Sequence, residues 1–227
     1  MSGIGWLQAI VFFLIVLAVT KPLGSYMARV FSGERTWLSS FFAPVERMIY
    51  RACGVREDAE MTWYVYALSM LAFSIVGFVY LYVLLRTQKW LPFNPQHVDN
   101  MAPDLAWNTA VSFLTNTNWQ FYSGEQAMSY LSQMAGLAWH NFVSAAVGIA
   151  VAVAVVRGLV RTSVKTLGNF WVDLTRCSLY VLLPIAVVFG LFFVWQGMPQ
   201  NFNADATVHS IEGFTQSITG GPMASQE

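Results

Sequence analysis

TNTNWQ, residues 115–120, is an uncharged polar run in a chain that is 56% hydrophobic and only 11% charged. Soluble domains carry about a quarter charged residues, so the solvent this composition calls for is a bilayer. The flanks of the run point the same way. Uncharged apolar windows lie on either side of it, at residues 61–85 and 126–156, and two more occupy residues 1–20 and 177–204. Each can hold the roughly 20 residues a spanning helix needs. The expected fold is an all-α integral membrane protein with four transmembrane helices, and 115–120 falls between the second and third.

Spans are expected at about 5–20, 62–85, within 127–156, and at about 178–195. Trp6, Trp63, Tyr64, Tyr80, Tyr82, Trp90 and Trp195 fall near their ends, as aromatic belts do. Pro184 predicts a kink in the fourth span. Ser144, Gly148 and Ala152, four residues apart, suit close contact with a neighbouring helix. The first window has no positive leader and is followed by Lys21 and Pro22 rather than a cleavage site, so it reads as a retained helix.

Net charge is zero and gives no reason to expect nucleic acid. The placement of the charges says more. Lys21, Arg29, Arg35, Arg47, Arg51 and Arg56 fall between the first two spans, and Arg157, Arg161, Lys165 and Arg176 between the last two. The positive-inside rule makes those loops cytoplasmic and the N-terminus external. Cys53 and Cys177 then read as reduced structural thiols. In the first loop, Trp37, Phe41, Phe42, Met48 and Tyr50 beside Arg47 and Arg51 have the spacing of a helix lying in the inner interface, with a solvated amphipathic loop as the alternative.

Residues 91–100, LPFNPQHVDN, form an exposed connection. Pro103 and Asp104 suit the first turn of a helix over 103–114, whose twelve residues would extend about 18 Å. That is too short to cross a bilayer core of about 30 Å. A half-length helix followed by a polar run between two spans reads as a re-entrant loop, which survives at membrane depth only when buried in protein or lining a water-filled cavity. Backbone carbonyls and Thr hydroxyls can replace the water around a cation without burying a formal charge. Residue chemistry alone leaves a second reading open, an ordinary exposed loop rich in Asn and Thr.

Longer motifs narrow the choice. NTAVSFLTNTNWQFYSGE (108–125) and SYLSQMAGLAWHNFVSAAVGIA (129–150) resemble the first pore loop and following helix of the potassium-binding, channel-like A subunit of the Kdp potassium-transporting P-type ATPase. KPLG (21–24), LPFNPQ (91–96), TLGNFWVDLTR (166–176) and GPMASQE (221–227) are similar to the same family, so the resemblance covers essentially the whole chain. It implies a fold of four membrane-pore-membrane repeats around one selectivity filter. It also implies a complex with a P-type ATPase catalytic subunit and two small accessory subunits in the bacterial inner membrane. The transported ligand would be potassium, and no cofactor is implied.

Carried over by position, Thr115, Asn116, Thr117 and Asn118 would form the first filter strand. Gln120 would lie near the ion path beneath it, and Glu125 would support the loop or attract cations. His140 falls at mid-membrane outside these motifs and reads as a packed, hydrogen-bonded histidine. Residues 1–61 would be an extra leading helix and cytoplasmic loop, 62–157 the first repeat, and 158–227 the approach to a second pore loop. Family members are more than twice as long, so the expectation is an N-terminal part holding one filter strand of four. A non-transporting truncated protein or assembly partner, or another transporter of the superfamily, are the alternatives. The sequence has no P-loop and no phosphorylatable aspartate in a DKTGT context, so ATP hydrolysis is expected in a partner chain.

Overall fold

The computed structural model describes residues 3–161 and 165–226, and of Glu125 the backbone only. Four stretches are helical, long and apolar enough to cross a membrane: Gly3–Phe31, Trp63–Trp90, Ser132–Val160 and Phe170–Trp195. Trp6, Trp63, Trp90 and Trp195 near their ends are all exposed.

The first of these, helix α1 (Gly3–Phe31), runs on past the expected end near residue 20 and carries Lys21 and Pro22 inside it. Charge marks where the membrane stops, whereas the helix stops where backbone hydrogen bonding stops. A long lysine stem can reach water from a helix near the interface. Helix α2 (Ser39–Cys53) follows and closes on Gly54 in the left-handed conformation, whose N–H caps Tyr50 O. A two-residue strand β1 (Met61–Thr62) then leads into α3 (Trp63–Thr87), the second span.

Helix α4 (Pro103–Leu114) has its proline at the first turn with Asp104 beside it, as the sequence predicts. After the short α5 (Gly124–Ala127), the third span opens with a π-helical turn, Ser132–Ala138, and continues as α6 (Trp139–Val160). Strand β2 (Thr166–Gly168) pairs antiparallel with β1. The fourth span starts at Phe170 rather than near 178: α7 (Phe170–Arg176), a π turn (Cys177–Leu182) and α8 (Leu183–Trp195) are continuous. Asn169 caps α7 by accepting from Trp171 N at 3.0 Å and Val172 N at 3.4 Å. The expectation of an all-α chain needs correcting in a second place as well. Strands β3 (Ala206–His209) and β4 (Thr215–Ile218) form an antiparallel hairpin in register Ala206 to Ile218.

Pro184 explains the irregular start of α8. Proline has no N–H for the carbonyl four residues back, which is Tyr180 O. That carbonyl instead accepts from Tyr26 OH of α1 at 2.9 Å, so the interruption becomes a contact between the first and fourth spans.

One core lies between α3, α4 and the third span, built from Leu81, Leu85, Ala106, Ala110, Phe113, Met128 and Leu137. Gly136 allows the approach: a Cβ there would meet Leu84 Cδ2 at 2.9 Å and Leu81 Cδ1 at 3.0 Å. A second core joins Tyr66, Ala146, Ala154, Phe170 and Cys177. The buried small-residue face of α6 is thus Ala146, Ala150 and Ala154, not the expected Ser144, Gly148 and Ala152, of which Gly148 and Ala152 are exposed. Cys53 is an exposed free thiol and Cys177 a buried one.

Candidate functional site

The site is assembled on α4. Ala106, Ala110 and Phe113 bury against α3, and Trp107 packs edge-on to Phe78 with ring centroids 4.7 Å apart. The same helix buries two hydroxyls, Thr109 and Ser112, and both hold the chain that follows. Thr109 Oγ1 lies 2.8 Å from Tyr122 OH. Ser112 Oγ donates to Trp119 O at 2.9 Å. Ser112 O accepts from Thr117 N at 2.9 Å and Asn118 N at 3.3 Å. The run 115–119 is therefore folded back onto the end of α4 by one buried serine that the sequence reading did not single out. The signal available was a small hydroxyl one turn before the polar run, on the helix face that packs inward.

The backbone of the run has an unusual conformation. Thr115 has φ −85°, whereas Asn116 and Asn118 sit at φ 57° and 55°, and Thr117 is not among the positive-φ residues. The sign of φ thus alternates along 115–118. In an ordinary strand successive carbonyls point to opposite sides; a left-handed residue at every second position breaks that alternation. Asn is among the few non-glycine residues that tolerate the left-handed region.

The N–H groups of residues 115–118 are all taken up by α4: Thr115 N by Val111 O, Asn116 N by Phe113 O, and the other two by Ser112 O. None of the four carbonyls accepts a hydrogen bond among the described residues, and all four residues are exposed. The hydroxyls of Thr115 and Thr117 lie 2.9 Å apart. Asn118 Nδ2 approaches Asn116 Oδ1 at 3.4 Å, so the amides lean on each other. The result is a set of neutral oxygens at the negative end of a helix dipole. Among the described residues no group of three His, Cys, Asp or Glu could hold a metal ion. Such a set suits a monovalent cation with a loosely held water shell; divalent sites use carboxylates.

The loop is pinned from outside. Gln88, fully buried, donates through Nε2 to Asp99 O at 2.7 Å and Ala127 O at 2.9 Å, and its Oε1 accepts from Ser129 N at 3.3 Å. Gln120 lines a cleft of about 600 Å³ with Gln133, Leu137, Phe193, Gln196 and Gln226, beside the Trp195 end of α8. Leu114, the end of α4, lines a separate cavity with Gly77, His140, Ser144 and Val147, deeper along α3 and α6. Gln120 and Leu114, at the two ends of the run, thus line different cavities. Gln120 Oε1 is buried without a hydrogen-bond partner among the described residues. Glu125 lies in α5, and its side chain falls outside the described residues, as does Glu227 of the last motif.

His140 is buried, with Nδ1 2.8 Å from Gly136 O and Nε2 3.0 Å from Gly77 O. It ties α6 to α3 as a packed histidine does. At the opposite end of the spans lies a polar assembly that sequence reading missed. Arg157 grips Asp173 with two bonds, Nη1 to Oδ2 at 2.6 Å and Nη2 to Oδ1 at 3.0 Å, and also donates to Phe31 O and Leu167 O. Tyr66 OH reaches the same carboxylate at 3.1 Å. Gly168, at φ 102°, lets the guanidinium pass, because a Cβ there would collide with it.

A profile of the family described as "KdpA: Potassium-transporting ATPase A subunit" matches residues 10–227. The chain belongs to that family. A relative from Methylorubrum populi, named potassium-transporting ATPase potassium-binding subunit, is 57% identical over 226 residues, which is 100% of this chain and 40% of the relative. Relatives of the same name from Granulibacter bethesdensis and Rhodopseudomonas palustris are 56% and 55% identical, again over 100% of this chain and 40% of their own lengths. The chain thus spans about 40% of the length of the curated relatives it matches. With four spans in place, this KdpA-family chain is a membrane protein.

Proposed function

We propose that this chain supplies one strand of a potassium-selective filter to an ATP-driven uptake system, and that Thr115, Asn116, Thr117 and Asn118 are its ion-facing residues. The observation that carries the proposal is the strand itself. Its N–H groups are turned onto α4, its four carbonyls accept no hydrogen bond among the described residues, and φ alternates in sign. Relatives named as potassium-binding subunits match the chain over its whole length at 57% and 56% identity.

In this reading α4 enters the membrane from the side where residues 91–102 lie, and the strand returns to that side, forming a re-entrant loop. A potassium ion sheds part of its water against the carbonyls and the Thr115 and Thr117 hydroxyls, helped by the α4 dipole. Gln120 and Glu125 line or support the mouth of the loop. Further strands, from outside this stretch of sequence, complete the ring of ligands. A separate P-type ATPase catalytic chain hydrolyses ATP, and two small subunits complete the complex in the bacterial inner membrane. The arginine-rich loops face the cytoplasm and the N-terminus faces out, as the positive-inside rule orders them.

Equilibrium binding of radioactive rubidium to the purified full-length subunit tests the reading. Displacement by potassium at far lower concentration than by sodium is the expected result. Equal displacement by both ions contradicts a dehydrating, size-sensitive strand.

A further inference from the structure

Helix α2 has two faces, and the ion-binding reading uses neither. Phe42, Glu46 and Tyr50, four residues apart, are buried against the fourth span. Phe42 meets the Tyr180 ring at 5.7 Å, and Glu46 accepts from Arg176 Nε and Tyr50 OH, each at 2.9 Å, and from Tyr180 OH at 2.6 Å. That face is fully occupied. The other carries Phe41, Pro44 and Met48 at helical spacing, continued by Trp37 just before the helix. Trp37, Phe41 and Met48 are 78%, 72% and 63% exposed.

Two observations indicate what covers this stripe. The first is depth: α2 packs on Val30 near the end of α1 and on Tyr180 and Val181, well inside the span Phe170–Trp195. The stripe therefore sits at the boundary of the apolar spans rather than out in solution. The second is charge. Arg47 and Arg51 lie beside the stripe on α2, with Arg35 and Arg56 at its two ends. Of the nearby acids, Glu34 is paired with Arg29, Glu46 and Glu57 with Arg176, and Asp58 alone is left; Arg35, Arg47, Arg51 and Arg56 make no ion pair among the described residues. An apolar stripe flanked by unpaired arginines is the pattern of a helix lying in a headgroup layer.

We propose that α2 is an in-plane docking surface for anionic phospholipid of the inner leaflet, with Trp37, Phe41 and Met48 in the acyl boundary and Arg47 and Arg51 on the headgroups. This inference stands apart from the potassium reading.

The test uses the full-length protein in lipid nanodiscs. Cys53 and any accessible cysteine outside this stretch of sequence are replaced by serine, Cys177 being buried, and Met48→Cys carries a nitrobenzoxadiazole probe. The expected result is quenching by shallow lipid nitroxides, protection from aqueous iodide, and stronger lipid quenching when phosphatidylglycerol replaces part of the phosphatidylcholine. The Arg47→Gln/Arg51→Gln pair abolishes that increase. Iodide quenching without lipid quenching means a solvated face, and protection from both means a protein neighbour; either overturns the proposal. Lipid quenching indifferent to phosphatidylglycerol overturns its anionic specificity. Phe41→Cys, labelled in the same way, gives an independent reading if Met48→Cys fails to fold.

Discussion

Asn116 and Asn118 hold left-handed backbone in a strand whose every N–H is committed to α4. Forcing a Cβ-bearing residue without a compensating amide into that region costs about 1 kcal/mol. Asn116→Ala is therefore expected to lower the thermal midpoint of the protein in detergent, and Asn116→Gly to leave it nearly unchanged. At the opposite end, Asp173 is buried and bound by Arg157 through two bonds. Removing one partner strands the other charge, so Asp173→Asn should cost roughly 3 kcal/mol. The Arg157→Gln/Asp173→Asn double change should cost less than the two single changes added together, in a denaturant titration of all four proteins. Glu60, exposed outside the spans, accepts from Thr166 Oγ1 and from Arg161 Nη1, and these bonds hold its carboxyl below the usual carboxylate range. A lowered folded value means stabilisation that is present above the ordinary carboxylate range and lost as pH falls through the lowered value. Thermal midpoints of wild type and Glu60→Gln should accordingly differ slightly at pH 7 and converge in acid.

Helices were legible where their physics is local. The length of α4 and the place of Pro103 and Asp104 follow from backbone rules that need no partner, and the apolar windows located all four spans. Their ends were not legible, because charge was taken to mark them. Asp173 and Arg176 look like loop residues until Arg157 and Glu46 are seen to pair them within a helix. The inward face of α6 was misread for a related reason: small residues at four-residue spacing occur on two of its faces, and only the position of Tyr66 and Phe170 selects Ala146, Ala150 and Ala154. Pro184 was legible as an interruption, but not the hydroxyl that answers it from Tyr26. Tyr26→Phe leaves Tyr180 O without that donor, which should cost about 1–2 kcal/mol. The expected readout is a lower thermal midpoint together with faster hydrogen exchange confined to the π turn, Cys177–Leu182.

Across the whole chain, contacts from the spans and their connecting loops hold one short strand in place. Gln88 fixes the connections before and after α4, His140 locks α3 to α6 beside Leu114, and Ser112 folds the strand back. What results is an exposed row of oxygens on a chain that spans about 40% of its relatives' length. In the proposed reading this row is one strand of a shared ion filter, and Thr117 is its most telling residue because a hydroxyl can be removed without changing shape. The decisive measurement is the potassium concentration giving half-maximal ATP hydrolysis by the full-length complex, with Thr117, Thr117→Ser and Thr117→Val compared. Loss of one oxygen ligand worth about 1.4 kcal/mol predicts roughly tenfold weaker apparent affinity for Thr117→Val, with Thr117→Ser close to wild type. Identical potassium dependence in all three would contradict the role assigned to this strand.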